Sequence, residues 1–284
     1  MRTRLIGGLC IGAIGLGAMP LSIEGRPAAD RANATIRAAL EAGVTLFDTA
    51  DSYHWHAGET GHNELLLAGA LKGVDGVLIA TKGGRGRPGD GSWTVDGDPR
   101  HLRLACEASL GRLGVEAIGL YQLHKPDPRV PFAESVGALR ELLDEGKILR
   151  AGVSNVSPEQ ILLAHRELGG RLASVQNRYS PAVRDSEPEL RLCAELGVAF
   201  LPWSPLGGIS RSALDESDPV GDDAFHAVAR ERGVSPQQVC LAWHLAAGPH
   251  VIPIPGASRP ASITDSAGAA GLVLTAAELA RLDG

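Results

Sequence analysis

The sequence predicts a single-domain (β/α)8 TIM barrel over residues 1–284, with an N-terminal β-hairpin. Three observations lead there. Eight short apolar runs, at residues 14–19, 45–49, 77–81, 118–123, 149–153, 174–177, 198–203 and 251–255, alternate with helical patterns, and eight is the strand number of that barrel. The runs do not alternate apolar with polar residues, as fits parallel strands covered on both faces. The 284 residues, 44% hydrophobic and 21% charged, match a globular composition and the length of one barrel, about 250 residues. A disordered or fibrous chain is excluded.

The elements follow in order. Met1-Arg2-Thr3-Arg4 is basic and residues 5–18 are apolar, which imitates a secretory leader. The turn pair Gly7-Gly8 and the glycines at 12, 15 and 17 favour a hairpin and a first strand instead. Helical patterns cover 29–41, with Asp30 as its cap, then 63–71, 100–113, 132–144, 158–168 and 188–196. Ser157-Pro158 places a capping hydroxyl before a first-turn proline. Gly43, Gly114, Gly146, Gly169 and Gly197 mark helix ends. Further helices are expected at 222–232, 236–246, 260–269 and 276–282. Two long polar stretches, 83–99 and 206–220, read as functional loops.

Charge and cysteine usage narrow the function. Lys+Arg number 27 and Asp+Glu 33, for a net charge of −6, which is not the basic footprint of a nucleic-acid binder. No apolar run after the N-terminal one reaches the ~18 residues that span a bilayer, and a cytoplasmic protein is expected. Cys10, Cys106, Cys193 and Cys240 are scattered. They form no zinc or disulfide framework, and each reads as a small buried hydrophobe.

Barrel active sites lie at the C-terminal ends of the strands. Polar residues stand at nearly every predicted end: Asp48, Thr49, Asp51, Ser52 and Tyr53, then Lys82, His124, Ser154-Asn155, Gln176-Asn177, Trp203-Ser204 and Gly256-Ala257-Ser258. A tyrosine is a weak acid, with a pKa of about 10, which a nearby ammonium lowers. Asp48 would hold Lys82, and His124 would orient a carbonyl oxygen. Together the four describe a proton donor over a carbonyl. Asp48 and Lys82 also fit a purely structural ion pair. The His54-Trp55-His56 pattern fits a metal-dependent barrel hydrolase, but no later strand end offers the further histidines such a site needs. No metal is therefore expected. A glycosidase needs two opposed carboxylates, and Asp48 is already engaged.

These residues resemble the aldo-keto reductases. The likeness runs through Gly15-Leu16-Gly17-Ala18-Met19, Phe47-Asp48-Thr49-Ala50-Asp51-Ser52-Tyr53, Ala80-Thr81-Lys82 and Leu120-Tyr121-Gln122-Leu123-His124. It continues in Glu145-Gly146-Lys147-Ile148, Gly152-Val153-Ser154-Asn155, Val175-Gln176-Asn177, Trp203-Ser204-Pro205-Leu206-Gly207-Gly208 and Ile254-Pro255-Gly256-Ala257-Ser258. Each motif is weak alone, while their order and spacing together are specific. The resemblance implies NADPH-dependent reduction of an aldehyde or ketone to the alcohol, with NADH as a possible substitute. It implies Tyr53 as general acid, Lys82 and Asp48 as its support, and His124 as the orienting group. It assigns cofactor contacts to Gly17, Ala18, Met19, Ser154, Asn155, Gln176, Trp203, Ser204, Pro205, Leu206, Gly207, Gly256, Ser258, Arg259, Ser262 and Asp265. His54, Trp55 and Trp93 would border the substrate pocket.

Two departures stand out. Where the family often carries Arg and then Glu-Asn around the adenosine 2′-phosphate, this sequence has Ser262, Asp265 and Ser266, with Arg259 nearby as the available cation. The sequence also ends at Asp283-Gly284, directly after the last predicted helix, so no covering C-terminal loop is expected and the pocket reads as open or as closed by a partner subunit. The Thr81-Lys82-Gly83-Gly84 run, the Trp93 loop and the Pro205-Leu206-Gly207-Gly208 turn resemble bacterial pyridoxal reductases, which suggests pyridoxal or another small aldehyde. The acidic run Asp215-Glu216-Ser217-Asp218 reads as a solvated loop or a cofactor flap. The alternative within the family is a nucleotide-binding, redox-sensing subunit with little turnover.

Overall fold

Two glycines in left-handed conformations, Gly7 (φ +50°) and Gly8 (φ +79°), fold the start of the chain back on itself. They join β1 (Thr3–Ile6) to β2 (Leu9–Gly12) in an antiparallel hairpin. Its Ile6 and Ile11 share a core with Leu46, Leu78, Leu120, Ala173, Ala199 and Ile252, which come from strands around the barrel. The hairpin thereby plugs the N-terminal end of the barrel. The computed structural model describes residues 1–211 and 223–284. The expected loop 206–220 and the acidic run at 215–218 lie partly or wholly outside the described residues.

Seven strands form one parallel sheet. In spatial order they are β3 (Leu16–Gly17), β4 (Leu46–Asp48), β5 (Leu78–Gly83), β8 (Leu120–Leu123), β9 (Ala151–Ser154), β10 (Leu172–Gln176) and β11 (Ala199–Phe200). A small hairpin, β6 (Arg85–Gly86) with β7 (Thr94–Val95), rises from the loop after β5. The eighth expected strand closes the ring by isolated bridges, Phe200 to Val251 and Gly17 to Gly256. Proline explains its irregularity. The N–H groups of Ile252 and Ile254 donate to Phe200 and Pro202, while the carbonyls of Pro253 and Pro255 accept from Gly15 and Gly17. Pro253 and Pro255 have no N–H to return toward β3, so one row of ladder bonds is missing. Closure also needs Gly17 itself, since a Cβ there would sit 2.8 Å from the Ile254 carbonyl oxygen.

The outer layer holds α1 (Ala29–Glu41), α2 (His62–Ala70), α3 (Pro99–Leu113), α4 (Phe132–Asp144), α5 (Pro158–Glu167), α6 (Glu187–Leu196), α7 (Ala224–Arg232), α8 (Pro236–Ala246), α9 (Pro260–Gly268) and α10 (Ala276–Asp283). Their apolar stripes meet the outward faces of the strands. Ile36 of α1, for example, shares a core with Phe47 and Leu67. Ser157 and Gln160 form a reciprocal capping box on α5, as Ser157-Pro158 suggested. Asp30 does not cap α1. The cap is Ala28, and Asp30 sits in the first turn, where its charge still favours the positive end of the helix dipole. Cys106, Cys193 and Cys240 are buried, but Cys10 is exposed on the hairpin. Among the described residues no helix is long and apolar enough to cross a membrane.

Candidate active site

Strand β4 ends in Asp48, and β5 carries Lys82 beside it through the register pairing Asp48 with Ala80. Both side chains point into the C-terminal mouth of the barrel. Lys82 is fully buried. A buried ammonium must satisfy its three protons or lose its charge. It donates to Asp48 Oδ1 (2.6 Å), the Thr49 carbonyl (2.8 Å) and the Tyr53 hydroxyl oxygen (3.2 Å). Asp48 Oδ2 accepts from Gln176 Nε2 across the barrel at 2.8 Å. The Tyr53 oxygen thus accepts from Lys82, and its own proton is directed elsewhere. His124, just past β8, stands edge-on to the Tyr53 ring at 5.6 Å between centroids. Ser52 Oγ approaches His124 Nδ1 at 3.4 Å.

Burial, more than the neighbouring charge, sets the protonation of this group. It holds the Tyr53 phenol above its usual value, outweighing the pull of Lys82 in the opposite direction. The sequence led to a Tyr53 pKa lowered by Lys82, whereas in the folded protein it stands above the usual value. The attraction to Lys82 is present, and desolvation exceeds it. Lys82 is held above its usual value by Asp48 and Tyr53, against its own burial. His124 is pushed well below its usual value by burial and by the positive charges of Lys82 and Arg85. At neutral pH the arrangement is a protonated phenol, a charged lysine and a neutral imidazole.

A cavity of about 760 Å³ opens over this group and runs from Trp93 to Arg259. Tyr53, His124, Trp93 and Asp48 line one end, while Lys82 lies behind Tyr53 and outside the lining. Ser154, Asn155, Gln176 and Trp203 follow. Asn155 takes a left-handed backbone (φ 59°), which Asn tolerates better than most residues. Its amide donates to the His124 carbonyl (2.9 Å) and to Ser154 Oγ (3.0 Å), and its oxygen accepts from Trp203 Nε1 (3.2 Å). The indole plane is therefore fixed. Ser204, Pro205, Leu206 and Gly207 also line the cavity, as do Gly17 and Met19. Gly256, Ser258, Arg259, Ser262 and Asp265 line the far end. There Arg259 Nε donates to Ser262 Oγ (2.8 Å), and the Asp265 carboxylate accepts from Ser235 Oγ (2.6 Å) and Gln238 Nε2 (2.7 Å). An aromatic face at one end and a cation at the other suit an extended dinucleotide.

Some expected residues fall elsewhere. Ala18 is buried beside the cavity but does not line it. His54 and Trp55 are also outside the lining. His54 Nδ1 donates to the His56 carbonyl (2.9 Å), and Trp55 stacks on the His56 ring. Turned this way, the two histidines do not converge, and among the described residues no group of three His, Cys, Asp or Glu side chains could hold a metal ion. Arg85, Pro20, Ser210, Arg211 and Gln237 line the cavity and were not singled out from the sequence. For Arg85 the available signal was its place three residues after Lys82 in the same connection.

The loop that carries Tyr53 rests on a second buried group. Asp51 is 5% exposed, and its Oδ1 lacks a hydrogen-bond partner. Burial and the Glu64 carboxylate push its pKa up to about 8, so the folded state keeps a proton that an unfolded carboxyl releases near pH ~4. Stability contributed by this proton is full below that value and is lost as pH rises through about 8. Asp51→Asn should therefore flatten the fall in melting temperature between pH 5 and pH 8, a slope of up to ~1.4 kcal/mol per pH unit in the native protein. Thermal unfolding at the two pH values checks this, and parallel curves for both proteins would contradict it.

Comparison with known proteins agrees with this geometry. The model of the aldo/keto reductase family matches residues 13–284. An uncharacterised oxidoreductase of Schizosaccharomyces pombe is 34% identical over 282 residues, covering 98% of this chain and 88% of that protein. The structure of a glycerol dehydrogenase from Gluconobacter oxydans superposes with a TM-score of 0.85 at 30% identity, over 99% of this chain and 94% of the other. An aldo-keto reductase from Klebsiella pneumoniae, solved with NADPH, gives 0.81 at 30% identity with the same coverage. The chain belongs to the aldo/keto reductase family.

Proposed function

We propose that this protein reduces an aldehyde or ketone to the alcohol with NADPH, and that Tyr53 delivers the proton to the carbonyl oxygen. The observation that carries the reading is the threefold donation of Lys82. It makes the Tyr53 oxygen an acceptor on its buried side and leaves its O–H for the cavity. NADPH, when bound, supplies the hydride.

The chain's own residues do the rest. His124, neutral at pH 7 for the reasons above, can donate one ring N–H to the substrate oxygen while Tyr53 protonates it. As the phenol gives up its proton, the developing phenolate meets a lysine already 3.2 Å away. That stabilisation is present before the reaction and costs little reorganisation. Trp203, pinned by Asn155, offers a flat face for the nicotinamide. Ser154, Asn155 and Gln176 supply hydrogen-bonding groups for its carboxamide. The 204–207 wall would follow the pyrophosphate, and Arg259 with Ser258 and Ser262 would meet the adenosine phosphate. The preference for NADPH rests on Arg259 and on the NADPH complex of the Klebsiella relative. The substrate is a small carbonyl compound. Tyr53, His124 and Trp93 make an aromatic mouth that suits a flat aldehyde such as pyridoxal.

Tyr53→Phe should lower kcat/KM by roughly 10²–10⁴-fold, the range for a general acid, and leave NADPH affinity within about twofold. Tryptophan fluorescence titration with NADPH, followed by an aldehyde panel, measures both, and retained turnover would remove Tyr53 as donor. Arg259→Ala should weaken NADPH about tenfold, as loss of one charge-assisted hydrogen bond does, with a smaller effect on NADH. Equal losses for the two nucleotides would take Arg259 out of the phosphate site.

A further inference from the structure

Strand β6 places Arg85 in the cavity wall at the Tyr53 end. Its guanidinium carbon lies 4.2 Å from the centroid of Trp93. That indole stands perpendicular to Tyr53 at 6.5 Å and meets His124 edge-on at 6.4 Å. Guanidinium, indole and phenol are therefore consecutive surfaces of one mouth.

Arg85 differs from its neighbour. Arg87, two residues on, also reaches the Trp93 ring, at 4.5 Å. It is neutralised by Glu24 (2.5 Å) and donates to the His54 carbonyl (2.7 Å). Among the described residues no carboxylate pairs with Arg85, and its buried Nε has no hydrogen-bond acceptor. A half-buried guanidinium without an acceptor is costly. Burial already pulls its pKa down, a measure of the lost solvation. A protein of net charge −6 has carboxylates to spare, yet none is set here. The planar fork of an arginine, stacked on an aromatic ring, is suited to bidentate capture of a carboxylate or phosphate.

We propose that the substrate is an anionic carbonyl compound, whose carboxylate or phosphate is bound by Arg85 while its carbonyl lies between Tyr53 and His124. This rests on the reductase reading for the carbonyl half, but the anion site stands on its own geometry. Arg85 is then a specificity-determining residue, which selects substrate by charge at a distance from the reacting atoms.

Matched substrates test it. Succinic semialdehyde is compared with its methyl ester for the carboxylate arm, and glyceraldehyde 3-phosphate with glyceraldehyde for the phosphate arm. In wild type the charged member of at least one pair should have a kcat/KM tenfold or more above its neutral partner. In Arg85→Gln that ratio should collapse toward one, chiefly through KM, and Arg85→Lys should restore part of it. The arm that shows the ratio identifies the anion. Calorimetry with benzoate, with and without NADP⁺, reads the site without turnover, and Arg85→Gln should weaken benzoate at least tenfold. Ratios near one in wild type, a ratio that survives in Arg85→Gln, or benzoate affinity that is absent or equal in the two proteins would overturn the proposal. If no aldehyde is reduced while benzoate still separates the two proteins, the reductase reading fails and the anion site holds.

Discussion

A fully buried ammonium organises this protein. Lys82 has no water to solvate it, so three oxygens from the second strand and the loop after it must stand within hydrogen-bond reach. Meeting that demand ties Asp48 to Lys82, and Gln176 ties Asp48 to the far side of the barrel. Loss of one partner from such a buried pair typically costs about 3–5 kcal/mol. The same demand positions the Tyr53 hydroxyl. The proposed proton donor is thus placed by the solvation needs of its neighbour, and the barrel mouth is cross-braced by the groups that would do the chemistry.

The cavity extends from this brace along the rim. Barrel closure needs a glycine in the first strand and leaves the eighth without part of its ladder, because Pro253 and Pro255 cannot donate. The segment after it supplies Gly256, Ser258 and Arg259 to the cavity. Asn155, at the end of the fifth strand, ties in the fourth and seventh strand ends through His124 and Trp203. A rigid scaffold with variable loops at one face is how barrels change specificity without changing fold. Here the β6–β7 hairpin with its connection, where Arg85 lies against the Trp93 ring, is the element best placed to do so.

Much of this was legible in the sequence, and the reasons are physical. Strands buried on both faces leave uninterrupted apolar runs, so Leu46–Asp48 and Leu120–Leu123 stood out, and the polar residues at their ends had no packing role to explain them. Helix ends were readable where a local rule acts alone, as at Ser157 and Gly114. Asp30 failed because an aspartate suits a first turn as well as a cap. His54 and Trp55 failed because sequence proximity to Tyr53 does not say which way a loop turns. The balance at Tyr53 was not readable either, since desolvation depends on what packs around the ring. Arg85 was invisible for a related reason. An arginine in a polar loop is ordinarily solvated, and only the fold shows that this one is stacked, half-buried and unpaired by carboxylate.

On the proposed reading, Lys82 holds Tyr53 ready to give its proton and then stabilises the phenolate. The pH dependence of kcat/KM for aldehyde reduction, in wild type and in Lys82→Met, tests it most directly, with NADPH titration confirming that the variant still folds. Wild-type activity should fall as alkaline pH removes the phenol proton, and Lys82→Met should lose at least a hundredfold in rate and show an altered profile. A variant that binds NADPH and reproduces both the wild-type rate and its pH profile would show that Lys82 only holds the barrel together.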